Sequence, residues 1–461
     1  MAQKERSFRD RPINMDEEGH SKWVYTKIPR GRWHTRRLIA SWILLLFFIA
    51  TPFIKVNGYP LILLDIPARK FIIFGAIFWA QDTFILALLM LAFVLFIVLF
   101  TVTFGRIWCG WACPQTIFLE MVFRKVEFLI EGDYQKRRKL DQGPLSTEKV
   151  LKKTLKHGIF VLISILMTNI FLMWFIGYEK LFQIISDPVG THFYGFLIML
   201  AVSLFFYWMY AYFREQLCTM ICPYGRMQGV LLDQRSIVVS YDYVRGEPRG
   251  KQAVGDCIDC KLCIAVCPTA IDIRNGTQLE CISCANCIDA CNEVMSKTGK
   301  PPHLIRHDSA VGIEKGHTSV WNWRNRAYSV VLLLLVAFFV FMLTTRSMVE
   351  TTILRTPGLI YQENSNSTIS NVYNIKMVNK THEDMNLELR LLSHPSGEIK
   401  LAGSGIHIPD QGLYESTFVL FLPRNEIKSG KIILTFGLFK DQQLLETTEA
   451  TFVGPVTNTL E

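Results

Sequence analysis

Residues 346–461 contain no cysteine, although the 345 residues before them hold twelve. That absence excludes a disulfide-stapled tail and separates a thiol-bearing part, suited to a reducing compartment, from a thiol-free part suited to an oxidising one. Charge is scarce as well: 19% of the 461 residues are Asp, Glu, Lys or Arg, and half are hydrophobic. Soluble domains carry about a quarter charged residues, so this balance is that of a membrane protein with soluble parts. Histidine is missing from the interior of every long apolar run, its ten copies lying at run edges (His157, His192) or in polar stretches. A membrane b-type haem takes axial ligands inside the spans, so haem is excluded. A cleavable leader is not expected either, because the first 37 residues are polar and basic and Ala50-Thr51-Pro52 makes a poor cleavage site.

What is present begins with five uncharged apolar runs: Leu38 to Ile54, Thr83 to Gly105, Gly158 to Tyr178, His192 to Phe213 and Ala327 to Thr345. At 1.5 Å per residue each can cross, or nearly cross, a ~30 Å hydrocarbon core as a helix. A sixth stretch, Phe71 to Gln81, is too short to span and reads as an interfacial or re-entrant piece. Residues 1–37 hold ten Lys and Arg, 106–156 eleven and 214–326 fourteen, against three and one in the intervening short loops. The positive-inside rule therefore puts the N-terminus and both cysteine-bearing loops in the cytoplasm and the tail on the far side. The tail has ten basic and thirteen acidic residues, so the net +9 lies on the inner side, where anionic lipid explains it better than nucleic acid.

Eight cysteines form two copies of one word: Cys257-x2-Cys260-x2-Cys263-x3-Cys267-Pro268 and Cys281-x2-Cys284-x2-Cys287-x3-Cys291. Three thiols on a tight loop and a fourth from a distance suit a 4Fe-4S cubane, and paired repeats of this kind exchange the fourth ligand. Cys257, Cys260, Cys263 and Cys291 are thus expected to hold one cluster, and Cys281, Cys284, Cys287 and Cys267 the other. Zinc is the competitor, but it usually takes two cysteine pairs set apart. The second word ends Cys291-Asn292 without the proline that follows Cys267, which leaves the ligand count intact.

The remaining cysteines are a second duplication. Phe104-Gly-Arg-Ile-Trp-Cys109-Gly-Trp-Ala-Cys113-Pro114 aligns without a gap to Phe213-Arg-Glu-Gln-Leu-Cys218-Thr-Met-Ile-Cys222-Pro223, each at the inner end of a span. Cysteines at i and i+4 lie on one helical face, and the proline can stop or bend that helix. Four such thiols would suit an iron-sulfur cluster, zinc or monovalent copper, while the plain alternative is inert packing. Arg106 and Arg226 flank the pairs and could lower thiol pKa or anchor headgroups. Trp108, Trp111 and Tyr224 read as an interfacial belt, and Glu120 and Glu127, on an amphipathic stretch from Thr116 to Ile130, as a solvated face. His303, His307 and His317 read as solvated loop residues that could receive a metal ion.

From about Arg346 the pattern turns to short β-rich runs, such as Val372 to Val378, Leu387 to Leu392, Thr417 to Leu422, Ile432 to Leu438 and Glu449 to Val453. These read as an immunoglobulin-like β-sandwich for docking, in which His382, His394 and His407 lack metal-ligand spacing. The expected fold is a multi-domain membrane protein: an α-helical bundle of about five spans, an inserted ferredoxin-like α+β domain with two clusters, and a C-terminal all-β sandwich. Its expected divisions are 1–37 (basic segment), 38–245 (four spans), 246–310 (cluster domain), 327–345 (fifth span) and 346–461 (sandwich).

In this order the paired Cys-x3-Cys-Pro words, the eight-cysteine repeat and the β-rich tail closely resemble the cytochrome c oxidase accessory proteins of the CcoG/FixG/RdxA family over nearly the whole length. The resemblance rests on Cys109-Gly-Trp-Ala-Cys113-Pro-Gln-Thr, Cys218-Thr-Met-Ile-Cys222-Pro-Tyr-Gly-Arg and the repeat. It implies a multi-pass bacterial inner-membrane protein with a periplasmic tail and two 4Fe-4S clusters, needed to mature a haem-copper oxidase. The implied chemistry is reduction of Cu(II) to Cu(I), with copper as substrate, Cys109, Cys113, Cys218 and Cys222 as copper-facing or electron-exchanging thiols, and a copper chaperone or copper-exporting ATPase as partner. The electron donor is left open. A membrane ferredoxin subunit drawing on quinol, or a non-redox assembly scaffold, are the alternative readings.

Overall fold

The computed structural model describes residues 23–455 apart from 57, 68, 80–81, 251–253, 318–319, 359, 365–366, 382, 404 and 428. Most of the basic N-terminal segment and His382 therefore lie outside the described residues. The chain divides into two compact units, residues 1–339 and 340–461.

Among the described residues five helices are long and apolar enough to cross a membrane: Arg32–Ala50, Thr83–Phe104, Thr147–Ile176, Phe193–Phe213 and Trp323–Thr344. The third starts eleven residues before its apolar run, because Ser146 caps it by accepting from the Lys149 amide and its first turns carry charges that project beyond the hydrocarbon. The fifth shows its apolar side chains to the surroundings all round, as a span in lipid does.

The stretch Phe71 to Gln81, expected as an interfacial or re-entrant piece, is β structure as far as Phe78, and residues 80 and 81 lie outside the described residues. Strands Ile62–Asp65, Lys70–Ile73 and Ala76–Phe78 form an antiparallel three-stranded sheet between the first two spans. Phe74 and Gly75, both at positive φ, make a two-residue turn in register with the flanking Ile73–Ala76 pair. Ile72, Ile77 and Phe78 are buried, as β-branched and aromatic side chains of a short strand-forming run tend to be.

The cluster-bearing part is closed by strand Val238–Tyr241, which pairs antiparallel with Ile305–Asp308. Helices Leu262–Ala265 and Asn286–Lys297 each open directly after a cysteine loop.

In the second unit, strands Glu398–Leu401, Leu413–Pro423, Thr368–Asn379 and Val349–Arg355 form one antiparallel sheet, with Gln362–Asn364 added to Thr368–Asn379. Ile406–Ile408, Met385–Leu391, Lys431–Lys440 and Gln443–Val453 form the other. Both sheets contribute to one core. At its centre Tyr373 stacks on Phe418, its register partner, at 5.2 Å, with Phe436 edge-on to both.

Candidate electron-transfer site

The two four-cysteine words fold alike. Asp259 and Lys261 take left-handed backbone conformations in the first, as do Ser283 and Ala285 at the matching places of the second. Such residues curl each loop so that its thiols turn inward. Cys257, Cys260, Cys263 and Cys291 line one cavity, with Tyr241, Val294 and Leu304 around them. Cys267, Cys281, Cys284 and Cys287 line a second, walled by Val239, Ile271 and Ile273, and Cys263 faces both. Each cage therefore draws its fourth thiol from the other word. Burial pushes the Cys263, Cys284 and Cys291 thiols up to about 12 and Cys281 to about 11, with neighbouring thiols adding to the shift. Thiols held protonated in this way must release their protons to bind a metal group.

The four membrane-edge cysteines also come together. Cys218 lies within electrostatic reach of Cys113, Cys109 and Cys222, and Cys109 within reach of Cys113 and Cys222. Each pair is not on one helical face as the spacing suggested. Cys113 and Cys222 are extended (φ −64, ψ 123 and φ −60, ψ 113) and stand just before helices that begin at Pro114 and Pro223. Proline fills the first helical position, where no amide partner is needed, so it starts a helix here and does not bend one. Gln228, fully buried, points its Nε2 toward Cys109 Sγ at 3.9 Å, and Gly225 lets its helix approach the Cys218 carbonyl.

Arg106 is buried and pulls the Cys109 thiol down, but burial wins and leaves it at about 12. Arg226 is exposed. Trp111 and Tyr224 have partners within the protein: Trp111 Nε1 donates to the Ser283 carbonyl, and the Tyr224 hydroxyl shares a 2.7 Å hydrogen bond with Thr101.

The first hairpin is docked on the second cluster word. A Cβ on Gly110 would fall 2.3 Å from the Ile282 carbonyl and 3.1 Å from the Cys284 amide, so only glycine permits this approach. Arg37 Nε fixes the Gly110 carbonyl from the other side at 2.6 Å. Arg106 acts electrostatically on both Cys109 and Cys281.

Glu120 and Glu127 are not on a solvated face. Glu127 is 1% exposed and takes a two-pronged contact from Arg214 at 2.7 and 3.1 Å and a third from Arg137 at 2.9 Å. Glu120 and Glu215 both pair with buried Arg124. Burial opposes ionisation of Glu127, but Arg214, Lys156 and Arg137 prevail and hold its carboxyl near 2. The overlooked signal was Glu120, Arg124, Glu127 and Glu131 recurring at helical spacing within Met121, Val122, Phe123, Val126 and Phe128, a charged stripe inside an apolar stretch. His307 is half-buried, packed 4.9 Å from Trp33, whereas His303 and His317 are exposed and the three do not gather.

Among the described residues no three His, Cys, Asp or Glu side chains stand at the spacing of a single metal ion. A tetrahedral zinc with Zn–S of ~2.3 Å would draw four sulfurs to within about 3.8 Å of one another. A cubane, in which each thiolate binds a different iron, fits the wider all-thiol cages.

Family profiles cover both sets of cysteines, the eight of the cages within 247–310 and the four membrane-edge ones within 86–136 and 213–253. A 4Fe-4S dicluster domain matches residues 213–253 and 247–310, a 4Fe-4S binding domain matches 86–136, and the IG-like fold at the C-terminal of FixG matches 339–455. The nitrogen fixation protein FixG of Rhizobium meliloti is 32% identical over 432 residues, covering 82% of this chain and 81% of its own. The chain belongs to the FixG/RdxA family. Its relatives in Cereibacter sphaeroides include protein RdxA, 31% identical over 80% of this chain and 82% of its own, and protein RdxB, 30% identical over 90% and 89%. As a FixG/RdxA protein it is a membrane iron-sulfur oxidoreductase of the electron-transfer kind, with an immunoglobulin-like domain at its C-terminus.

Proposed function

We propose that this FixG/RdxA protein reduces Cu(II) to Cu(I) at the membrane-edge thiols and so assists assembly of a haem-copper cytochrome c oxidase. Cys257, Cys260, Cys263 and Cys291 would hold one 4Fe-4S cluster, and Cys267, Cys281, Cys284 and Cys287 the other; when bound, these groups supply single electrons. The observation that carries the reading is the docking of the Cys109 loop, through Gly110 and Trp111, on the backbone at Ile282, Ser283 and Cys284. It puts the four-thiol cluster of Cys109, Cys113, Cys218 and Cys222 beside the second cage, with Cys263 linking that cage to the first. One electron is needed per copper, and thiolates favour the softer Cu(I) product. The cluster side is assigned to the cytoplasm of a bacterial inner membrane and the sandwich to the periplasm, on the distribution of Lys and Arg. A copper chaperone or exporting ATPase and the oxidase assembly machinery are the proposed partners.

The test uses anaerobic protein with both clusters reduced. Added Cu(II) is expected to bleach the reduced signal with one Cu(I) formed per electron, and Cys109→Ser/Cys218→Ser, still holding its full iron, is expected to slow this at least tenfold. Reoxidation by quinone and not by Cu(II) would transfer the protein to a quinol-linked role, and no reoxidation by either would leave a scaffold.

A further inference from the structure

A cavity of about 250 Å³ lies where the first span meets the cluster-bearing part, outside the thiol cages. Thr26, Arg37, Arg124 and Asn286 are at most 3% exposed and line it, yet among the described residues Thr26 Oγ1, Arg37 Nη2, Arg124 Nε and Asn286 Oδ1 have no hydrogen-bond partner. Lys27 and Lys125 stand with them, and Glu120, the lone carboxylate in the lining, is already paired with Arg124. With Glu215, which also pairs with Arg124 from outside the lining, four cations face two committed anions and the cavity keeps a net positive charge, carried by Lys27, Arg37 and Lys125. Buried guanidinium N–H groups without partners call for an oxyanion, since leaving such donors unpaired costs their full desolvation. The lining also has an apolar part: Met121, Phe128, Val266 and Leu129, the last 85% exposed.

We propose that this cavity binds the phosphate of an anionic phospholipid, with the start of an acyl chain lying along Met121, Phe128 and Leu129. A soluble phosphate would satisfy the donors but leave the apolar wall bare. The place fits a lipid, because Arg37 belongs to the span Arg32–Ala50 and basic pockets at the inner ends of spans take anionic headgroups. Val266 and Asn286 adjoin Cys267 and Cys287, so the bound headgroup stands next to the second cage and adds negative charge there, which favours the oxidised form of a group held in it.

The test takes the full-length protein into nanodiscs of phosphatidylcholine with or without phosphatidylglycerol and counts retained lipid by native mass spectrometry after gentle detergent release. One phosphatidylglycerol is expected to stay bound with at least tenfold preference over phosphatidylcholine. Lys27→Gln/Lys125→Gln, which leaves the buried arginines in place, is expected to weaken retention several-fold, with iron content and helicity checking the fold. Equal retention of the two lipids, unchanged retention in the double variant, or displacement of the lipid by millimolar inorganic phosphate alone would overturn the proposal. In the wild type, phosphatidylglycerol is also expected to lower the potential of one cluster and leave the other unmoved.

Discussion

Gly105 and Arg214 hold the same place in the two halves of the membrane repeat, one residue beyond the phenylalanine that ends each span, and they turn the chain almost identically, at φ 62, ψ −139 and φ 47, ψ −120. For glycine this region is open. For arginine it is strained by about 1–3 kcal/mol. The difference is made up by a side chain from the other half: Glu127, downstream of the first cysteine pair, grips the Arg214 guanidinium with both oxygens. One copy of the corner is thus shaped by its own backbone, and the other by a buried ion pair that ties the two hairpins together ahead of Cys218 and Cys222.

The most damaging way to break this comparison is Glu127→Gln. Arg214, Arg137 and Lys156 would be left as buried cations without their shared anion, a loss of about 3–5 kcal/mol. Thermal unfolding in detergent measures it, and thiol labelling is expected to show Cys218 and Cys222 exposed before Cys109 and Cys113. The pH dependence follows from the same carboxylate. Its folded pKa near 2 lies below the usual 4.5, so its contribution is complete above about pH 4.5 and is lost as pH falls toward 2. The wild-type protein is expected to lose stability through that window, and Glu127→Gln to show a flatter acid limb.

Next in size is Gly105→Ala, which attacks the other corner. A Cβ there would meet Val238 Cγ1 at 2.6 Å on a backbone of positive φ, costing about 1–3 kcal/mol by the same unfolding measurement. Arg214→Gly sharpens the contrast. It relieves the strain but takes one partner from Glu127, so alone it destabilises, and combined with Glu127→Gln it is expected to cost less than the sum of the two. Smallest is Thr101→Val, which removes the hydroxyl bonded to Tyr224 and is expected to cost about 0.5–1.5 kcal/mol.

The readable parts of this chain are those where one local pattern fixes the outcome. The spans at Thr83–Phe104 and Trp323–Thr344 end within a few residues of their apolar runs, because a span's length is set by the bilayer and by nothing else in the chain. The cysteine words are legible because soft ligands at fixed spacing have few other uses. Glu127 was misread because its cations come from Arg137, Lys156 and Arg214, up to 87 residues away, and no local pattern reports them. The strands within Phe71 to Gln81 were not legible because a short apolar run carries no period long enough to tell strand from helix, and the deciding Phe74-Gly75 turn lies inside it. Gly110 could not be singled out for the same reason as Glu127: its function is to let Ile282 and Cys284 approach, and they lie far along the chain.

The account stands most directly on an iron and sulfide count on anaerobically purified protein, taken with low-temperature spin resonance after reduction. Eight irons and eight sulfides per chain are expected, with a spectrum broadened by magnetic coupling between two clusters that share the neighbourhood of Cys263. Four irons, zinc in their place, or two uncoupled signals would contradict the paired cages. Twelve irons would contradict the assignment of Cys109, Cys113, Cys218 and Cys222 to copper.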